Sequence, residues 1–120
     1  MVEEDVANYI ASNSDFAVGT DIFLGTLPSG TREGMIVRNV RELEAFSALN
    51  LAYISIVLFY RSYSTAAESQ ATVSDLLNNR RGTLDGTWCV ASDKVEREDL
   101  GIDTLNRYVK SVSCIVGYSE

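Results

Sequence analysis

The ten residues LAYISIVLFY, 51–60, carry no charge and hold one clearly polar side chain, Ser55. The run stops at Arg61. It has about half of the roughly 20 apolar residues that a membrane-spanning helix needs. As a strand, it turns Tyr53, Val57 and Phe59 one way and Ala52, Ile54, Ile56, Leu58 and Tyr60 the other. Apolar residues on both sides predict a strand covered on both faces, and therefore one in the middle of a sheet. Ten residues in extended form reach about 33 Å, which is long for a small domain.

The rest of the chain supplies partners for that strand. Residues 2–13 predict a helix, with Val2, Val6, Tyr9 and Ile10 at helical spacing and Glu3, Glu4 and Asp5 at its positive end. Asp21–Leu27 predicts a short strand that ends in a turn, with Pro28 second and Gly30 fourth. Residues 34–40 predict another strand, and 41–50 a long loop with room for some helix. Just after the ten-residue run, Thr65 and Glu68 fit a capping box that opens a helix. Ala66, Val73 and Leu77 line its apolar side, Glu68, Thr72, Asp75 and Asn79 its polar side, and Gly82 its stop. Residues 86–93 and 107–119 predict two more strands, joined by a charged connection. The fold class expected is α+β, a single domain spanning residues 1–120. Its order is α-β-β-β-α-β-β, with one mixed or antiparallel sheet and two helices packed against it.

Composition removes several functions. Hydrophobic residues make up 46% of the 120, enough for a packed core and against disorder. Seventeen acidic residues against ten basic ones give a net charge of −7, which disfavours a phosphate backbone as the main partner. The basic residues are arginines apart from Lys94 and Lys110. Arginine is enriched at protein interfaces and lysine depleted, although a GC-rich coding bias gives the same composition. The acidic start MVEEDVANYI does not resemble a secretory signal, so synthesis in the cytosol is expected. Cys89 and Cys114 are then expected as reduced, buried thiols.

No catalytic pattern stands out. The chain has no histidine, and its two cysteines cannot complete a tetrahedral zinc site. GTREG lacks the Gly-Lys-Ser/Thr ending of a phosphate loop, and neither G-x-G-x-x-G nor G-x-S-x-G occurs. The carboxylates of DKVEREDLGID miss the calcium-loop spacing and are interleaved with Lys94 and Arg97, as in a solvated, salt-bridged loop. Trp88 and the tyrosines are expected in the core or at sheet ends rather than as a base-stacking platform. No enzyme activity and no cofactor are expected. In 41–50, Leu43, Phe46 and Leu49 stand among charges, which fits either an interface or a loop folded back on its own core.

A short N-terminal helix leads to VGTDIFLGTLPSG, then a strand, then AYISIVLFYRSYSTAAESQATVSDLLNNRRG, and a charged connection precedes the last strand. This pattern resembles the small tail-terminator, or minor capsid, proteins of long-tailed bacteriophages. The likeness covers most of the chain and rests on a strand, an Arg-Tyr step, an Ala-rich helix and a G-x-L-P turn; 41–50 and 92–106 lie outside it. The resemblance implies an α+β subunit that assembles, usually as six copies, into a ring. The ring caps the finished tail tube and presents the surface that joins the head. It also implies a tail-tube protein and a head-tail connector protein as partners, DNA passing through without specific binding, and no membrane. Such a protein is made in the host cytoplasm and resides in the virion. The candidate subunit or partner contacts are Arg41, Glu42, Glu44 and Phe46, with Arg97 and Glu98. Competing expectations are another head-tail completion or tail-tube subunit, or a non-viral regulatory or small-ligand-binding domain.

Overall fold

A computed structural model of the chain describes residues 1–46, 49–81, 88–92 and 94–119. Two helices, α1 (Val2–Ser12) and α2 (Tyr63–Asn78), accompany six strands: β1 (Ile22–Leu24), β2 (Gly34–Phe46), β3 (Leu49–Tyr60), β4 (Trp88–Val90), β5 (Glu96–Ile102) and β6 (Tyr108–Tyr118). The expected α+β architecture is present. Within its order the charged connection contributes one further strand, β5.

The strands form one mixed sheet in the order β1-β2-β3-β6-β4, with β5 also paired to β6. Among the described strands, β1 and β2 run parallel and the other pairs are antiparallel. Strand β6 holds β3 along one side, while β4 and β5 share the other, β4 opposite 116–118 and β5 opposite 108–113. The uncharged run is thus central, as expected.

Both helices lie on the same face of the sheet. Val2, Val6, Ala7 and Ile10 of α1 and Ala66, Val73 and Leu77 of α2 share one core with Met35, Val37, Ile54, Ile56, Leu58, Val112, Cys114 and Val116. The alternate residues of β3, Tyr53, Ser55, Val57 and Phe59, face away and are only half-buried. The expectation of a doubly covered strand is therefore corrected. The second face carries apolar residues, but neither helix packs there, and its residues are shielded by one another and by their cross-strand neighbours.

The expected loop 41–50 is also corrected. Strand β2 continues to Phe46 and β3 starts at Leu49, making a long hairpin with a register shift between Asn39 and Arg41 and another between Leu43 and Phe46. Thirteen residues at ~3.3 Å each extend about 43 Å, and the longest dimension of the molecule is 44 Å. The hairpin sets that dimension.

Smaller boundaries moved for local reasons. Ser62, not Thr65, caps α2, its Oγ accepting from the Thr65 backbone N–H at 3.4 Å. The side chain three residues upstream satisfies the orphan donor, so the helix begins three residues earlier. The Thr31 N–H donates to the Pro28 carbonyl at 3.0 Å, so Pro28 opens its turn and Gly30 takes the third position, at φ +84°. That conformation suits glycine. The expected stop Gly82 and residues 86, 87 and 93 of the expected fourth strand lie outside the described residues.

Candidate interaction surface

β2 and β5 carry the residues singled out from the sequence, and the register places them on opposite sides of the sheet. Strand β1 pairs only with Met35–Val37 of β2, so from Arg38 onward no described strand lies on the outer side of β2. Arg41 and Glu42 stand on that stretch. Arg97 and Glu98 stand on β5, which pairs with β6 alone and is exposed along its whole length. Glu44 and Phe46 belong to β2 beyond Leu43; their side chains lie outside the described residues.

The four do different things. Arg41 is exposed, its guanidinium 5.9 Å from the centre of the Tyr53 ring. Glu42 points toward the helix side and is tied to the fold: it accepts from the Tyr118 hydroxyl at 2.7 Å and from Asn39 Nδ2 at 2.8 Å. Arg97 also turns to the helix side, its Nε donating to Ser74 Oγ at 3.0 Å and its NH2 lying 3.6 Å from Asp75. Glu98 faces away from the helices; its carbonyl accepts from Gln70 Nε2, which also donates to the Ser111 carbonyl. Gln70 thereby fastens α2 to both β5 and β6.

Two features fit β5 to its place beside β6. Gly101, at φ +87°, accommodates the register shift between Asp99 and Gly101. Lys110 of β6, 4% exposed, reaches Asp99 at 3.3 Å and lies 4.7 Å above the Tyr63 ring. Charged side chains and a bulge are how an edge strand avoids indiscriminate pairing. The salt-bridged character expected for this segment is present; its backbone is a strand rather than a loop.

The open face carries a charge polarity. Following the register, one row across the sheet reads Arg38, Ser55, Ser113, Glu96, and the next reads Ile36, Val57, Ser111, Glu98. Arg41, Tyr53 and Ile115 make the row on the other side. A shallow hollow of ≈ 320 Å³ runs beside β5, lined by Tyr53, Lys94, Glu96, Glu98, Ser111 and Ser113 among others. Basic side chains thus stand at the β2 edge and mostly acidic ones at the β5 edge.

The tight loop between β5 and β6 has a defined electrostatic lock. Arg107 holds Asp103 through Nε at 2.9 Å and NH2 at 2.7 Å, and the Leu105 and Arg107 backbone N–H groups each donate to Asp103 Oδ1 at 3.0 Å. Arg107 also stacks 4.6 Å from the Phe59 ring on the open face. The Arg107 hydrogen bond holds the Asp103 carboxyl below the ordinary aspartate value. A depressed folded-state pKa contributes stability above the unfolded value and loses it as pH falls through the folded one. The loop is accordingly expected to loosen below about pH 4. Carboxyl titration by NMR should give Asp103 a midpoint below the ordinary aspartate value, and Arg107→Gln should raise it. An ordinary midpoint in the unsubstituted protein would contradict the lock.

Elsewhere the chemistry is quiet. Cys89 and Cys114 are buried and unbridged, as expected, and burial pushes the Cys114 thiol up to about 12. Trp88, Tyr60 and Tyr118 are core residues. Among the described residues no group of three or more Cys, Asp or Glu side chains is placed to hold a metal ion, and no helix is long and apolar enough to cross a membrane.

No protein-family model matches the chain, and no curated protein matches it significantly.

Proposed function

We propose that the chain is a structural subunit of a long-tailed phage particle, a tail terminator whose copies close into a ring on the end of the tail tube and present the surface that joins the head. The observation that carries this reading is the placement of two unlike edges on one sheet. A ring needs a head-to-tail contact between two different patches of the same chain. On the open face the β2 edge beyond Val37 bears Arg38 and Arg41, while the opposite edge, β5, bears Glu96 and Glu98; Glu42 on β2 and Arg97 and Asp99 on β5 turn to the helix side. Opposite charge on the two edges favours the head-to-tail order and opposes like edges meeting. The sequence resemblance supplies the tail, the six-fold ring, and the tail-tube and connector partners. The virion is its location, and DNA crosses the ring without specific binding.

Negative-stain imaging of the purified protein with tail tubes tests the proposal. Closed rings, free or seated on tube ends, are expected. Arg41→Glu and Glu98→Arg should each prevent ring closure without altering the thermal melt, and the two together should restore it. Glu42→Lys is a poor probe, because Glu42 also anchors Tyr118 and Asn39. Long self-assembled tubes would favour a tail-tube subunit instead. Protein that neither forms rings nor binds tails would sink the proposal.

A further inference from the structure

We propose that the open face of the sheet pairs with the same face of a second copy, about a two-fold axis parallel to the strands that passes between Ser55 and Ser113. The central row carries the inference. It runs Arg38, Ser55, Ser113, Glu96, a cation at one end, an anion at the other and two small side chains between. The serine hydroxyls are 3.3 Å apart, so nothing bulky stands at the middle of the row. A two-fold rotation about that point lays the row of a second copy over the first in reverse. Arg38 of each copy then lies over Glu96 of the other, at equal height along the strands. Both ends are satisfied at once, as an isologous contact requires.

In one flanking row, the same rotation lays Tyr53 of each copy over Ile115 of the other, an apolar pair on both sides of the axis. In the row on the other side Val57 falls over Ser111, and Ile36 falls beside Glu98 at the rim. None of these side chains belongs to the helix-side core. Sheets stack face to face at about 10 Å with strands within about 30° of parallel, so small residues at the centre and long ones at the rim suit the spacing. Lys94, exposed beside Glu96, trims the acidic end without reversing it. A polynucleotide is a poorer occupant, since Glu96 and Glu98 would face its phosphates.

Four strands about 4.8 Å apart and nine residues long present roughly 600 Å² per copy. A standard interface uses roughly 800 Å² per partner. The pairing is therefore weak, concentration-dependent and salt-sensitive. It does not depend on the tail proposal. The two contacts compete for Arg38 and Glu96, so paired copies are a form of the free subunit that ring closure would have to open.

Sedimentation velocity over a range of protein and salt concentrations should show a monomer–dimer equilibrium that shifts toward monomer as salt rises. Arg38→Glu and Glu96→Arg should each weaken the dimer about tenfold or more, and an equimolar mixture of the two variants should dimerise again. A head-to-tail edge contact would give the same charge rescue, so Ser55→Cys provides the geometric arm. Ser55 of the two copies sits near the axis, and the native cysteines are buried. A short bismaleimide linker should join Ser55→Cys chains into covalent dimers and no larger species, and Arg38→Glu in the same chain should abolish the product. Melting curves would confirm that each variant is folded. Monomer at every concentration, oligomers in which Ser55→Cys fails to cross-link, or a mixture that does not re-associate would each overturn the proposal. Dimers without rings would leave it standing and count against the tail reading alone.

Discussion

Ile56→Asp is expected to yield no cooperatively melting protein, whereas Val57→Asp, one residue further on, is expected to fold. Ile56 is 0% exposed, faces both helices, and sits between Val37 and Val112 in the register. A carboxylate there has neither water nor a cation. Leaving a buried charge unpaired costs about 3–5 kcal/mol or more, against a total stability of about 5–15 kcal/mol for a domain of this kind. Val57 belongs to the open face, half-buried beside Ile36 and Ser111. Its new carboxylate reaches water, so the loss is about 1–2 kcal/mol. Circular dichroism melts and soluble yield decide the matter. Equal failure of both variants would mean that both faces are covered after all; equal survival would mean that the helices do not pack where they are described.

Arg80→Ala is expected to cost about 2 kcal/mol, or roughly 8 °C in Tm, without changing the fold. The Arg80 guanidinium lies 5.0 Å from the centre of the Tyr9 ring and 4.5 Å from that of Trp88. The rings meet edge to face at 5.4 Å, and the Tyr9 hydroxyl donates to the Leu76 carbonyl at 3.2 Å. The cation ties α1 to the segment after α2 and to β4, which are themselves joined by the Val90 N–H donating to the Arg80 carbonyl at 2.9 Å. Trp88 is 3% exposed, so the stacked charge is partly withdrawn from water and each ring is worth more than at a free surface. Arg80→Lys keeps the charge but loses the flat stacking group, and should fall between the two. An unchanged melt for Arg80→Ala would show that the cation adds nothing to the apolar contacts and the Tyr9 hydrogen bond that hold α1.

The covered half of the sheet was legible because its chemistry repeats. Ala52, Ile54, Ile56 and Leu58 alternate with no exception, and Ala66, Val73 and Leu77 return at helical spacing, so the strand and the helix that shields it follow from the pattern. The open face misled for a physical reason. Valine and phenylalanine on the outer side of β3 look like core residues, yet cross-strand neighbours and the stacked Arg107 shield them without a second layer. Strand β5 was hidden for the opposite reason. All seven of its residues are exposed, and EREDLGI has neither alternation nor strong strand propensity. It is a strand because β6 offers it a ladder. The segment 41–46 is the same case on β2, extended by pairing with β3. Of the proposed contacts, residue types could be read from the sequence; their division between two edges could not, because it depends on which strand adds to which side of β6.

The central position of β6 also bears on how the chain acquires its shape during translation. Strands β3, β4 and β5 precede it; β4 and β5 find their ladder partner only in residues 108–118, and β3, paired with β2 on one side, finds its other partner there. Until that segment leaves the ribosome, β4 and β5 have no strand to close upon, and a nascent chain carrying LAYISIVLFY must wait with its most adhesive stretch half-paired. Ribosome stalling ahead of residue 108, or truncation there, should leave a chaperone-bound, protease-sensitive product rather than a smaller folded domain.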